Sequence, residues 1–208
     1  MRIKLNLDKK CAQDVLDGCS LMFEIGNLRF MGLFKMLNKK IGIKDAKKLD
    51  EYLKTRITVV EAPAEFQAAY STAQKLNEYQ DLTFTPPEAL VFSRTCETVA
   101  RIGMVQIAVL FQTLVPHMPF ADARDLEIEV RRSLGIPLSH GSYYGILQNE
   151  VPGFCKTCWD AYQYLRREVA WYNAGKDWRT DERDWGTMMF VSFDEPFRSA
   201  TGISTERV

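Results

Sequence analysis

Residues 86–115 read PPEALVFSRTCETVARIGMVQIAVLFQTLV, and the fold class rests on what this run forms. Paired prolines suit a first helical turn, where the amide hydrogen they lack would be unpaired anyway. Behind them Leu90, Val91, Val99, Ile102, Met104, Val105, Ile107, Val109, Leu110, Phe111 and Leu114 leave little polar face, as in a helix covered on all sides. Between Ile102 and Val115 only Gln106, Gln112 and Thr113 are clearly polar. That apolar stretch is shorter than the roughly 20 residues a bilayer-spanning helix needs, and Arg101 and Pro116 bound it. The segment Pro87 to Val115 is therefore expected to be the long buried central helix of a mainly α-helical domain.

Helical periodicity continues on both sides. Leu126, Val130 and Leu134 predict a helix stopped by Gly135, a residue suited to the left-handed position after a helix. Cys158, Tyr162, Leu165, Val169 and Tyr172 predict another from about Phe154 to Ala174, stopped by Gly175. Upstream, Pro63 opens a helix carrying Phe66, Ala69, Tyr70, Ala73 and Leu76. At the start of the chain Ile3, Leu5 and Leu7 alternate with Arg2, Lys4 and Asn6, which predicts a half-buried strand ended by Asp8. Two amphipathic helices follow, one on Cys11, Val15, Leu16, Cys19, Met22 and Phe23, the next on Phe30, Leu33, Phe34, Leu37 and Ile41. Gly42 interrupts the pattern. A third helix from about Asp45 is expected to bury Leu49, Tyr52 and Leu53 and to expose Lys47, Lys48, Asp50 and Glu51. Thr187 to Phe193, rich in Met, Phe and Val, reads as a strand that pairs with the N-terminal one, giving a small β-sheet formed by the chain ends. The organisation is thus a basic helical part over 1–60, not necessarily separate, a helical core with a C-terminal strand over 61–197, and a tail over 198–208.

Apolar residues at 46% and charged residues at 26% of 208 exclude disordered, fibrous and collagen-like classes. Basic and acidic residues both number 27, so there is no general attraction to polyanions. The distribution is uneven: residues 1–60 hold 13 basic against 7 acidic residues, leaving 14 against 20 in the remainder. Five cysteines, an odd number without a small-domain disulfide spacing, read as reduced thiols. The N-terminus lacks a signal-peptide pattern. Together these features lead to an expected cytoplasmic location and no membrane partner.

Few residues gather into chemistry. Cys155 and Cys158, separated by two residues near the helix start that Pro152 and Gly153 mark, have the spacing of a metal clasp or a redox pair. His140 is the possible base or third ligand. The alternative is that both sulfurs pack as small hydrophobes. A zinc-deaminase order fails because Ser142 stands where the glutamate is required and Pro152 is not adjacent to the pair. Ser139, His140, Ser142, Tyr143 and Tyr144 crowd a glycine-flanked loop, but it has no nucleophile-elbow pattern. No phosphate loop, dinucleotide fingerprint or paired-histidine zinc helix is present. The residues point to no cofactor and lean away from an enzyme.

Two surfaces remain. Lys35, Lys39, Lys40, Lys44, Lys47 and Lys48 straddle Gly42 on two helices joined by a tight turn, a layout able to follow a phosphate backbone. Asp45, Asp50 and Glu51 would oppose that, and a solvated charged face is the plainer reading. Trp171, Trp178 and Trp185 stand seven apart and either cover the core edge or form a partner-facing aromatic patch. The leading expectation is a non-enzymatic protein-interaction protein, an adaptor, inhibitor or assembly subunit. It would contact another protein or larger assembly through the basic helices or the tryptophans. Nucleic-acid binding through the six lysines, and a thiol or zinc enzyme centred on Cys155 and Cys158, are the alternatives.

Overall fold

Asp8 ends one element and begins the next: strand β1 (Ile3–Leu7) runs straight into helix α1 (Lys9–Gly26), with the Asp8 carboxylate accepting the Cys11 N–H at 2.7 Å. A side-chain oxygen in this position satisfies a donor that the first helical turn leaves open. The computed structural model describes residues 2–57, 63–138, 144–175 and 202–208. Within them α1 is followed by α2 (Met31–Leu37), α3 (Ile43–Arg56), α4 (Ala64–Ala73) with a 3₁₀ turn (Gln74–Asn77), and strand β2 (Asp81–Phe84). Then come α5 (Pro86–Gly103), α6 (Ala108–Leu114), α7 (Phe120–Ser133), α8 (Gly153–Asn173) and strand β3 (Ile203–Arg207). The protein is mainly α-helical, with a small antiparallel sheet built from the chain ends.

Helices α1, α5 and α8 pack against one another at the centre, and α4 lies on α1 and α5. The sheet order is β2-β1-β3, antiparallel throughout, with Leu5 opposite Leu82 on one side and Thr205 on the other. Ile3, Leu5 and Leu7 face the core with Leu82, Phe84 and Ile203. On the other face Lys4 lies 3.3 Å from both Asp81 and Glu206, a charge ladder across all three strands.

Three expectations change. The apolar run is not one helix: α5 ends at Gly103, and Val105 takes a left-handed φ of 65° before α6 begins. The turn closes helix α5, because Val105 N–H donates to Ile102 O and Gln106 N–H to Arg101 O, both at 2.9 Å. A β-branched residue is costly in this region, and Val105 holds it while fully buried. The strand beside β1 at the C-terminal end is Ile203–Arg207, within what reads from sequence as a tail; Thr187 to Phe193 lies outside the described residues. Strand β2 is the third departure. Its four residues are too few to show an alternating pattern, and β1 supplies the partner that makes it a strand.

Among the described residues no helix is long and apolar enough to cross a membrane.

Candidate functional site

Helix α2, the turn after it and α3 form an elbow on the surface. Its inner side is apolar, with Leu33, Phe34, Ala46, Leu49, Leu53 and Ile57 all buried. Polar contacts fix its angle. Asn38 donates its side-chain amide to Leu134 O at 3.0 Å and accepts Lys40 N–H at 2.9 Å, tying the turn to the end of α7. The Asp50 carboxylate accepts Phe30 N–H at 3.0 Å and the Lys54 ammonium at 2.7 Å, tying α3 back to the entry of α2.

Lys35 on α2, Lys39 and Lys40 in the turn, and Lys44, Lys47 and Lys48 on α3 are all exposed. No ion pair holds any of the six among the described residues. Between Arg29 and Arg56 nine basic residues stand against three acidic ones, and Asp50 is already committed to the internal contacts above. Field from such a cluster is weakened by salt, by the nearby Asp45 and Glu51, and by Glu129 across the groove from Lys48. On the side toward α7 the elbow ends at a groove of about 400 Å³ lined by Asp45, Lys48, Leu49, Tyr52, Glu129 and Ser133.

Ile43 was not singled out by the sequence reading. It is 68% exposed at the first position of α3, one helical turn before Lys47 and beside Lys44. Spacing alone hides it, because Ile43 precedes Ala46 by three residues and so reads as part of the buried stripe; its exposure comes from its place at the very start of α3.

The cysteine pair serves packing. Cys155 and Cys158 are fully buried, and each sulfur sits opposite a glycine of a neighbouring helix. A Cβ at Gly103 of α5 would lie 2.7 Å from Cys155 Sγ, and one at Gly18 of α1 would lie 2.6 Å from Cys158 Sγ. Cys155 Sγ also contacts Met36 Sδ at 3.8 Å. Cys19, Cys96 and Cys158, one from each central helix, form a hydrogen-bonded chain of thiols. Burial raises the Cys155 thiol, and at Cys19 the hydrogen bond to Cys96 together with burial does the same. At Cys158 the hydrogen bond from Cys96 lowers the thiol, but burial and the neighbouring Cys19, Cys155 and Asp14 outweigh it. Burial pushes Cys11 up to about 12. All are raised away from the thiolate that nucleophiles and metal ligands require. Among the described residues no group of three His, Cys, Asp or Glu side chains is placed to hold a metal ion.

The remaining site residues divide. Trp171 is 1% exposed, so this indole covers the core and is not a partner-facing residue. Trp178, Trp185 and His140 lie outside the described residues. Charged groups buried elsewhere are held in place structurally: Glu127 accepts Ala108 N–H at 2.8 Å and pairs with Arg124 and Arg131, while Glu168 accepts Thr205 Oγ1 at 2.8 Å and Arg207 Nε at 3.1 Å. They join α6 to α7 and β3 to α8.

No protein-family model, curated protein or solved structure matches this chain.

Proposed function

We propose that this chain is a non-enzymatic interaction protein, an adaptor, inhibitor or assembly subunit, that docks on an acidic partner protein through the α2–α3 elbow. The observation carrying this reading is the set of six exposed lysines without ion-pair partners among the described residues, on a support packed into the core. A surface charge paired at home gains little from a partner, whereas unpaired ones steer encounter and fix register. Burial of the cysteines supports the same reading, since it withholds Cys155 and Cys158 from any soluble substrate.

The test uses the intact chain and the variant Lys40→Glu/Lys44→Glu/Lys47→Glu, purified in parallel from the native host. A stoichiometric protein should accompany the first and be lost from the second, with both chains melting at the same temperature. Identical recovery from both would remove the elbow from the interface. A nucleic-acid reading draws on the same lysines, spread over two helices and a tight turn. It requires retention on DNA or RNA that falls steeply with salt.

A further inference from the structure

The elbow carries more than charge. Ile43 presents an aliphatic side chain at its tip, 68% exposed, with Lys39 and Lys40 in the turn before it, Lys44 next to it and Lys47 one turn beyond. An isolated exposed isoleucine is ordinary on a protein surface; one set among cations that have no ion-pair partner among the described residues is a mixed patch with a definite complement. We infer that the elbow binds an acidic polypeptide segment that bears an apolar side chain, with Ile43 as the apolar anchor and the lysines as its charged surround. This rests on the docking reading above and names the chemistry of the partner.

Three features favour polypeptide over other polyanions. First, phosphate recognition gains most from the planar, bidentate guanidinium, and the cations flanking Ile43 in the turn and the first turns of α3 are all lysine, a compact point charge, with the exposed Arg29 and Arg56 at the start and end of the elbow. Second, signs are mixed on the outward side of α3. Glu51 is exposed and follows Lys47 by one turn, where it would face a continuous phosphate ribbon or a sheet of anionic headgroups unfavourably. A polypeptide can place a neutral or basic residue at that point. Third, Ile43 would gain nothing from phosphates. Against an apolar side chain it buries surface at the centre of a charged rim, the arrangement in which interface residues contribute most.

The division of labour is measurable because charge acts mainly on encounter and apolar burial mainly on residence. The probes are poly-L-glutamate, a random copolymer of glutamate and tyrosine of similar length, a short DNA duplex, and phosphatidylcholine vesicles with and without phosphatidylserine. The full chain should bind the copolymer roughly tenfold more tightly than poly-glutamate, the scale expected for burying one aliphatic side chain. Ile43→Ser should erase that preference while leaving poly-glutamate binding intact, and Ile43→Leu should restore it. Dissociation of the copolymer should be faster for the serine variant, with little change in association rate. Lys40→Glu/Lys44→Glu/Lys47→Glu should lose both polymers.

Equal copolymer binding by Ile43→Ser, with loss in the charge-reversed chain, overturns the inference and leaves the docking reading standing. Undiminished poly-glutamate binding by the charge-reversed chain overturns the docking reading itself. Tighter binding to duplex than to the copolymer at the same salt overturns the inference in favour of nucleic acid. Ile43-dependent binding to phosphatidylserine vesicles overturns it in favour of a lipid surface.

Discussion

Two glycines explain a cysteine motif. On α8 the sulfurs of Cys155 and Cys158 occupy space that a side chain on α5 or α1 would otherwise need, since a Cβ at Gly103 or Gly18 would come within 2.7 Å of them. Sulfur is small and polarizable enough to fill such a gap without a branch. Replacing a helix-interior glycine by alanine ordinarily gains about 1 kcal/mol in propensity, while forcing an extra carbon into a packed site costs about 1 to 3 kcal/mol. At Gly18 the collision is with a fully buried Sγ and is tightened by Val99 Cγ1 at 3.2 Å, so the second effect wins. Gly18→Ala should therefore lower stability by up to about 2 kcal/mol in urea denaturation. Adding Cys158→Ala should recover most of that loss, giving a coupling of about 1 kcal/mol or more between neighbours. Simple additivity of the two single changes would show that the sulfur does not sit in the gap left by Gly18.

Helix starts carry their own pH signature. At the entry to α5 the Glu88 carboxylate turns back to accept Thr85 N–H at 2.7 Å and the Thr85 hydroxyl at 2.8 Å, a capping box ahead of Pro86 and Pro87. Those bonds, led by the Thr85 N–H, hold the Glu88 carboxyl below its ordinary value. A carboxyl lowered on folding stabilises fully above its unfolded pKa of about 4.3 and loses that contribution as pH falls through the folded value. Glu88→Gln should thus lower the urea midpoint at neutral pH, and its difference from the parent should shrink steadily below about pH 4. A difference that persists unchanged in acid would mean the charge is irrelevant to the cap. The α5 cap was legible from Pro86 and Pro87, and α7 and α8 from their apolar stripes and the terminating Gly135 and Gly175, because those signals are local. The break between α5 and α6 was not, because Val105 takes a conformation that sequence normally marks with glycine. Strand β3 was hidden for a different reason. Ile203 and Thr205 are its inward residues, and a threonine reads as polar until Glu168 is seen to accept its hydroxyl. Of the candidate site, the lysine run was plain in the sequence, whereas the role of the cysteines depended on Gly18 and Gly103, more than fifty residues away in the chain.

At the scale of the whole molecule, β1 and α1 cannot be satisfied by the segment they belong to. Strand β1 pairs with β2 and β3, which begin at Asp81 and Ile203, and α1 packs on α4, α5 and α8. Buried residues from Ile3 to Ile203 form one continuous apolar cluster, so residues 1–60 share their core with the remainder despite their opposite charge. A strand in the middle of a three-stranded sheet has two rows of backbone groups to pair, and both partners lie beyond residue 60. The same nonlocal pairing slows folding, because loop closure must precede the contacts that reward it. A fragment comprising residues 1–60 would hold Ile3, Leu5, Val15, Cys19 and Met22 without the surfaces that cover them. It should show no cooperative urea transition and should bind a hydrophobic dye, whereas the full chain should unfold in one transition seen alike by far-UV and near-UV circular dichroism. Two separated transitions in the full chain, the first lost when residues 1–60 are removed, would make the basic part a domain of its own. In that event the elbow would be carried by an independently folding unit, and its packing would have to come from α1 to α3 alone.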